Sequence, residues 1–201
     1  LASSEIDHVY GMVNGIEGML QDHTIDLGES LSEEELELLK LTPAAYLGSC
    51  RYKLPESLTD AFYETIFEKF RRMEIGYFLY IGGNDSMDTV SKLSRYAAQI
   101  KSPIRFIGIP KTIDNDLWGT ELTFGFQSAI DIASTVIDSI HSTAFSHSRV
   151  FIVEVMGHKA GWLTLYAGIA SGADVIVIPE IPYSAKKIAA AIEKRAKAGK
   201  R

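Results

Sequence analysis

Tyr77-Phe78-Leu79-Tyr80-Ile81 runs directly into Gly82-Gly83-Asn84-Asp85-Ser86, and Ile104-Arg105-Phe106-Ile107-Gly108-Ile109 runs into Pro110-Lys111-Thr112-Ile113-Asp114-Asn115-Asp116. Each is a short apolar run, rich in β-branched and aromatic residues, that ends in a polar loop, which is the signature of a strand and its exit. Between the two, Met87, Val90, Leu93 and Ala97 recur at helical spacing. Strand, helix and strand in that order predict a right-handed crossover between parallel neighbours.

The same alternation continues downstream. Val150-Phe151-Ile152-Val153-Glu154-Val155 and Val175-Ile176-Val177-Ile178 are further apolar runs that predict strands. Phe126, Ile130, Ala133, Ile137 and Ile140, then Leu163, Ala167 and Ala170, mark the intervening helices. A last helix is expected from Ser184 to about Lys197, with Ile188 and Ile192 inward and a stop at Ala198-Gly199-Lys200-Arg201. Near-continuous apolar strands separated by helices imply an α/β fold with a parallel sheet covered on both faces. Upstream the pattern is looser. The glycines of Val9 to Gly18 suggest turns after a short strand, and Ser32 with Glu35 forms a capping box before Leu36, Leu38 and Leu39. Tyr46 to Lys53 is a loop with two basic residues, and Phe62, Ile66, Phe70 and Met73 predict one helical face.

Composition narrows the function classes. The chain has 201 residues, 46% of them hydrophobic and 23% charged, enough for a substantial core. A net charge of -6 argues against a broad nucleic-acid or membrane-surface face, while leaving room for a local basic pocket. Cys50 is the only cysteine, so no intrachain disulfide can form and a reducing compartment, the cytoplasm, is expected. No apolar run approaches the roughly 20 residues of a membrane span. The start, Leu1-Ala2-Ser3-Ser4-Glu5, has neither the basic nor the apolar region of a signal peptide and no initiator methionine, so a processed product or an internal piece is expected.

In open α/β sheets ligands bind outside the carboxyl ends of the strands, where the unusual residues of this chain lie. A helix N-terminus after Gly82-Gly83 suits an anion, because unpaired N–H donors and the positive dipole end meet there without side chains in the way. A plain tight turn capped by Asp85 or Ser86 explains the same segment equally well. Lys111, Thr112, Asp114 and Asp116 add a cation, a hydroxyl and two carboxylates to the same sheet edge. That set can neutralise a transferring group, accept the proton of an attacking alcohol and hold a metal. The competing account is a solvated loop of Asx-turns. A third strand end, Met156-Gly157-His158-Lys159, can take a sugar or be ordinary core and surface, and Glu180 is as suited to capping structure as to binding ligand.

At these residues the chain resembles the phosphofructokinases. The matching elements are Leu47-Gly48-Ser49-Cys50-Arg51, Gly82 to Ser86, Pro110 to Asp116, Gly125-Phe126, Ser146-His147-Ser148-Arg149, Glu154 to Gly157 and Pro179-Glu180, in family order and spacing. The resemblance implies a three-layer parallel-sheet fold with helices on both faces. It also implies a donor-binding part over residues 1–145 and the start of a sugar-phosphate part over residues 146–201. Within the family the diphosphate-using enzymes are most similar, since ATP-using members typically carry glycine where Asp85 and Lys111 stand. By resemblance, Asp85 fills the α-phosphate space and Lys111 stabilises the transferring phosphoryl group. Asp114 matches the base that deprotonates the 1-hydroxyl of fructose 6-phosphate, and Asp116 the second carboxylate. Gly83, Asn84, Ser86 and Arg51 match donor-binding positions; Thr112, Ile113, Arg149, Met156, Gly157 and His158 match the sugar-phosphate side. Arg149 is expected to reach a neighbouring subunit, implying a homodimer or homotetramer.

The expected reaction is reversible phosphoryl transfer from diphosphate to fructose 6-phosphate in glycolysis, with Mg²⁺. The alternatives are an ATP-dependent 6-phosphofructokinase and a non-catalytic regulatory subunit. Two departures from the family pattern stand out. Asn84 replaces an aspartate associated with Mg²⁺, and a neutral carbonyl oxygen can still ligate it with less charge. His158 replaces an arginine that follows Met-Gly in many members, giving a weaker or pH-dependent sugar contact. The family's amino-terminal donor loop and its later 6-phosphate contacts find no counterpart, so an internal segment of a longer subunit is expected.

Overall fold

The structure, a computed structural model, describes residues 6–198. The chain divides into two compact units, one made of the residues up to Phe78 with Ser91–Arg105, the other of Leu79–Val90 with the residues from Phe106 on.

In the first unit β1 (Tyr10–Met12) pairs antiparallel with β2 (Thr24–Asp26), Tyr10 lying opposite Asp26. The connection holds α1 (Gly15–Leu20), entered through Asn14 and Gly15 at φ 59° and 60°. After α2 (Leu27–Ser30), α3 (Glu33–Leu39) starts at the expected capping box: the Ser32 hydroxyl accepts from Glu35 N–H, and Glu35 accepts from Ser32 N–H at 2.8 Å. Asp60 caps α4 (Ala61–Arg72) by accepting from Phe62 N–H at 2.8 Å.

The buried face of α4 is Tyr63, Ile66, Phe67 and Phe70, rotated by about one residue from the expected face. Ile66 and Phe70 are as expected, whereas Phe62 is half-buried and Met73 lies past the helix end. Aromatic packing accounts for the rotation, since Tyr63 stacks on Tyr96 at 5.2 Å and Phe67 meets both Phe70 and Tyr96. At about 1.5–3 kcal/mol for each buried large side chain, this face is a principal source of the unit's stability. Lys69 joins in from the side: its Nζ donates to the carbonyls of Met19 and Leu20 and to Asp22, capping the end of α1.

The division between the units falls within β3 (Tyr77–Gly82), α5 (Asn84–Gln99) and β4 (Arg105–Pro110). Arg105 N–H donates to the Gly76 carbonyl and Lys111 N–H to that of Gly82, so the bonds advance in step along both strands and β3 and β4 are parallel, as expected.

The second unit carries α6 (Phe126–His147), α7 (Trp162–Ala170) and α8 (Ala185–Lys197). Phe126, Ile130 and Leu163 form its buried cluster, with Ile113, Ala129 and Val155 packed against it. Leu163 and Ala167 are buried as expected, while Ala170 is exposed. Ile188 and Ile192 of α8 are half-buried. The stop expected at Gly199 lies outside the described residues. The strands expected at 150–155 and 175–178 do not form among the described residues. An apolar run supplies a strand's side chains but not its ladder, and neither segment has a paired neighbour; Val150 and Ile152 stand 62% and 94% exposed. No helix among the described residues is long and apolar enough to cross a membrane.

Candidate active site

β3 ends at Gly82 and α5 begins at once, its first turn closed by Met87 N–H on the Gly83 carbonyl. Asp85 and Ser86 therefore lie inside the first turn and are not its cap. The two glycines differ. A Cβ on Gly82 would collide with the Ser86 side chain, so that glycine is required by the turn itself. A Cβ on Gly83 would make only ordinary contact, 3.8 Å from Thr112 Cβ and 3.9 Å from the Lys111 carbonyl. Gly83 thus lies beside the second loop, and the N–H groups of the first turn have no acceptor within the helix.

The second loop, from Lys111 to Phe124, starts where β4 stops. Phe124 N–H donates to the Pro110 carbonyl, and a parallel bridge joins Lys111 to Phe124. Ile113 points its apolar side chain at the Phe126–Ile130–Leu163 cluster, which anchors the middle of an otherwise polar segment. Asp114 N–H donates to Thr112 Oγ1 at 3.1 Å. Asp114 Oδ1 is buried and accepts no hydrogen bond from any described residue. Burial first, and then the nearby Asp116 carboxylate, push the Asp114 carboxyl up from its ordinary value, with His158 pulling partly the other way. Asp116 is exposed and accepts from Asn84 Nδ2 at 2.8 Å, which ties the start of α5 to the second loop.

The sequence-predicted residues Gly83, Asn84, Lys111, Thr112, Asp114 and Asp116 are therefore brought together at one edge, with His158 within electrostatic reach of Asp114. Met156, Gly157 and His158 line a separate cleft of about 180 Å³ with Glu154, Ala160 and Thr164. That is less than the roughly 300 Å³ at which ligand pockets begin, so the cleft is too small to be a whole ligand pocket. A Cβ on Gly157 would strike the Ala160 carbonyl, whose residue returns a hydrogen bond to Gly157. Glu180 accepts from Gly161 N–H at 2.7 Å and so caps the start of α7, the structural option for that residue. Arg149 follows α6 with its N–H on the Ala144 carbonyl and its side chain exposed. Arg51 lies in the first unit on an exposed loop.

Two residues of the site went unassigned in the sequence. Asn115 has φ 52°, and its Oδ1 accepts from Thr123 N–H at 2.9 Å while its Nδ2 donates to the Glu121 carbonyl at 3.1 Å. Thr123, 5% exposed, donates its hydroxyl to the Thr112 carbonyl at 2.6 Å. The available signal was an asparagine between two aspartates, a residue type that tolerates positive φ. Elsewhere, His8, Asp26 and Glu29 bring ligand-type atoms within 4.8 Å of one another, an arrangement accounted for by Asp26 pairing with His8 and capping α2.

A glycine turn, a lysine, a hydroxyl and paired carboxylates at the end of parallel strands are groups that phosphoryl transfer can use. The phosphofructokinase family model matches residues 1–201, and the chain belongs to the phosphofructokinase family. It is 41% identical over 196 residues to an ATP-dependent 6-phosphofructokinase 3 of Bacteroides thetaiotaomicron, covering 96% of this chain and 55% of that protein. It is 38% identical over 202 residues to a pyrophosphate–fructose 6-phosphate 1-phosphotransferase of Methylococcus capsulatus, covering 94% of this chain and 47% of that one. Among solved structures, a pyrophosphate-dependent phosphofructokinase from Marinobacter aquaeolei superimposes with a TM-score of 0.85 at 37% identity, over 96% of this chain and 49% of the other. The chain spans about half the length of the relatives it matches.

Proposed function

We propose that the protein is a diphosphate-dependent 6-phosphofructokinase, transferring phosphate reversibly between diphosphate and the 1-hydroxyl of fructose 6-phosphate in cytoplasmic glycolysis. The observation that carries this reading is Asp114 Oδ1, a buried acceptor with no partner among the described residues, at a strand end beside a lysine and a second carboxylate. Such an oxygen is suited to accept the proton of a substrate hydroxyl. As that proton moves to Asp114, the hydroxyl oxygen bonds to phosphorus, the bridging P–O bond of diphosphate breaks, and inorganic phosphate leaves with the bond's electrons. Lys111 offsets negative charge on the group in flight.

Oxygen donors suit Mg²⁺, and Asp116 with the Oδ1 that Asn84 leaves unused would hold it. When bound, the ion neutralises charge on the phosphate oxygens. Thr112, Ile113, Met156, Gly157 and His158 are assigned to the sugar, and Gly83, Ser86 and Arg51 to the donor. Arg149 is assigned to a neighbouring subunit's sugar phosphate, which makes the working enzyme a homo-oligomer. Residues 1–145 belong to the donor part and residues 146–201 to the sugar part.

Donor choice rests on Asp85 and Lys111. Asp85 stands in the first turn of α5, where its charge and bulk occupy the end of the helix that a nucleotide phosphate would seek. The Bacteroides relative named as ATP-dependent supports the alternative donor. Assaying the intact protein with diphosphate and ATP side by side decides between them. Diphosphate turnover that Asp85→Gly with Lys111→Gly abolishes is the expected result. ATP-only turnover establishes the alternative, and sugar-phosphate binding without turnover would point to a regulatory subunit.

A further inference from the structure

The backbone of residue 115 decides how Asp114 and Asp116 are presented, because it is the only residue between them. It lies at φ 52°, in the left-handed region that costs a side-chain-bearing residue energy unless neighbouring contacts hold it. Here the contacts come from one place in the chain. Asn115 Oδ1 takes Thr123 N–H at 2.9 Å, Asn115 Nδ2 gives to the Glu121 carbonyl at 3.1 Å, and Thr123 Oγ1 lies 2.6 Å from the Thr112 carbonyl. A hydroxyl has one proton, and the shorter contact takes it, so the 3.2 Å approach of Thr123 Oγ1 to Asn115 Oδ1 is secondary. Thr123 therefore grips both sides of Asp114: residue 112 through its hydroxyl and residue 115 through its N–H. Phe124 N–H on the Pro110 carbonyl fixes Thr123 to the end of β4.

These bonds do more than close a turn. Asp114 Oδ1 is held where it has no partner, and a carboxylate free to move would turn toward solvent. The loop must resist that relaxation, and the single buried polar side chain in it is Thr123. We propose that Asn115 and Thr123 are positioning residues for the phosphoryl transfer: their bonds hold Asp114 Oδ1 buried and keep Asp116 on Asn84. The inference rests on the proposed function, and neither residue touches the reacting atoms.

Thr123→Val keeps the shape and removes the hydroxyl; Asn115→Gly keeps positive φ accessible and removes the side-chain bonds. In the intact protein each is expected to lower kcat by about 10-fold or more with KM within about 2-fold, since small misplacements of reacting groups act on turnover. Thr123→Ser, which restores the hydroxyl, should recover kcat to within about 3-fold of the parent. Hydrogen exchange is measured on the same variants. Loss of amide protection confined to residues 112–116 and to Thr123, whose N–H bonds Asn115, is expected for the two damaging changes, with the thermal midpoint lowered by no more than the loss of one or two hydrogen bonds explains. Unchanged kcat per folded molecule, or protection that persists at residues 112–116, overturns the proposal. A parent inactive with both donors overturns the proposed function instead, and the exchange arm still judges the clamp.

Discussion

The loop from Lys111 to Phe124 and the stretch from Val150 to Gly161 differ in how their polar and apolar residues are satisfied. The first is polar, yet its backbone is tied at nearly every turn: to β4, to Thr123 and, through Ile113, to the helix cluster. The second begins with an apolar run as strand-like as that of β3, yet it has no ladder partner among the described residues, and its defined contacts are Val155 against the helix cluster, the Gly157–Ala160 turn and the Glu180 cap on α7. Apolar character expresses a preference for burial, while hydrogen-bond closure determines local structure. The loop with the closed bonds is also the one holding an uncompensated carboxylate oxygen.

The largest test of this contrast is Asp114→Asn. As loss of a base, it should lower kcat by a factor of about 10² or more. Its stability effect should have the opposite sign. A carboxyl whose folded value is raised favours the fold at pH below its unfolded value and loses that contribution as pH rises through the folded value. At neutral pH the ionised side chain therefore burdens the fold, so the amide should leave the thermal midpoint equal or higher. For the same reason the acid limb of the parent's pH–rate profile should lie above that of an ordinary aspartate. A lowered midpoint together with retained turnover would show that the loop is merely a solvated turn.

Gly157→Ala should produce the next largest effect, this time on folding. The added Cβ meets the Ala160 carbonyl, and a destabilisation of about 1–3 kcal/mol in chemical denaturation is expected, with sugar-phosphate KM rising more than kcat falls. A midpoint equal to the parent's would mean that the turn yields easily and that the second region is softer than its contacts imply. Glu180→Ala, the smallest, removes the acceptor for Gly161 N–H and should cost about 1 kcal/mol in denaturant titration with little change in turnover. A large loss of activity instead would return Glu180 to the ligand side.

Periodicity revealed the parallel pair β3 and β4, the helix α5 between them and the buried residues Phe126, Ile130, Leu163 and Ala167, because here each patterned segment meets the partner that its apolar side chains or backbone need. It placed the face of α4 about one residue off, since stacking of Tyr63 on Tyr96 is a tertiary preference absent from helical spacing. It predicted strands at 150–155 and 175–178, where pairing depends on a neighbour that no local pattern specifies. At the candidate site, Lys111, Asp114 and Asp116 stand out in the sequence by type and position, because their chemistry is in their side chains. Thr123 does not, because its significance comes from a partner at Thr112, remote in sequence and reached through a carbonyl that every residue possesses.

The bond from Asn84 to Asp116 has a consequence for how this edge assembles. A carboxylate at position 84 would set a like charge 2.8 Å from the oxygen that Asn84 now serves, and the two loops would repel until a cation came between them. An amide donates where a carboxylate cannot. The edge is thus held closed by a neutral donor, and this contact needs no cation to offset a like-charge repulsion.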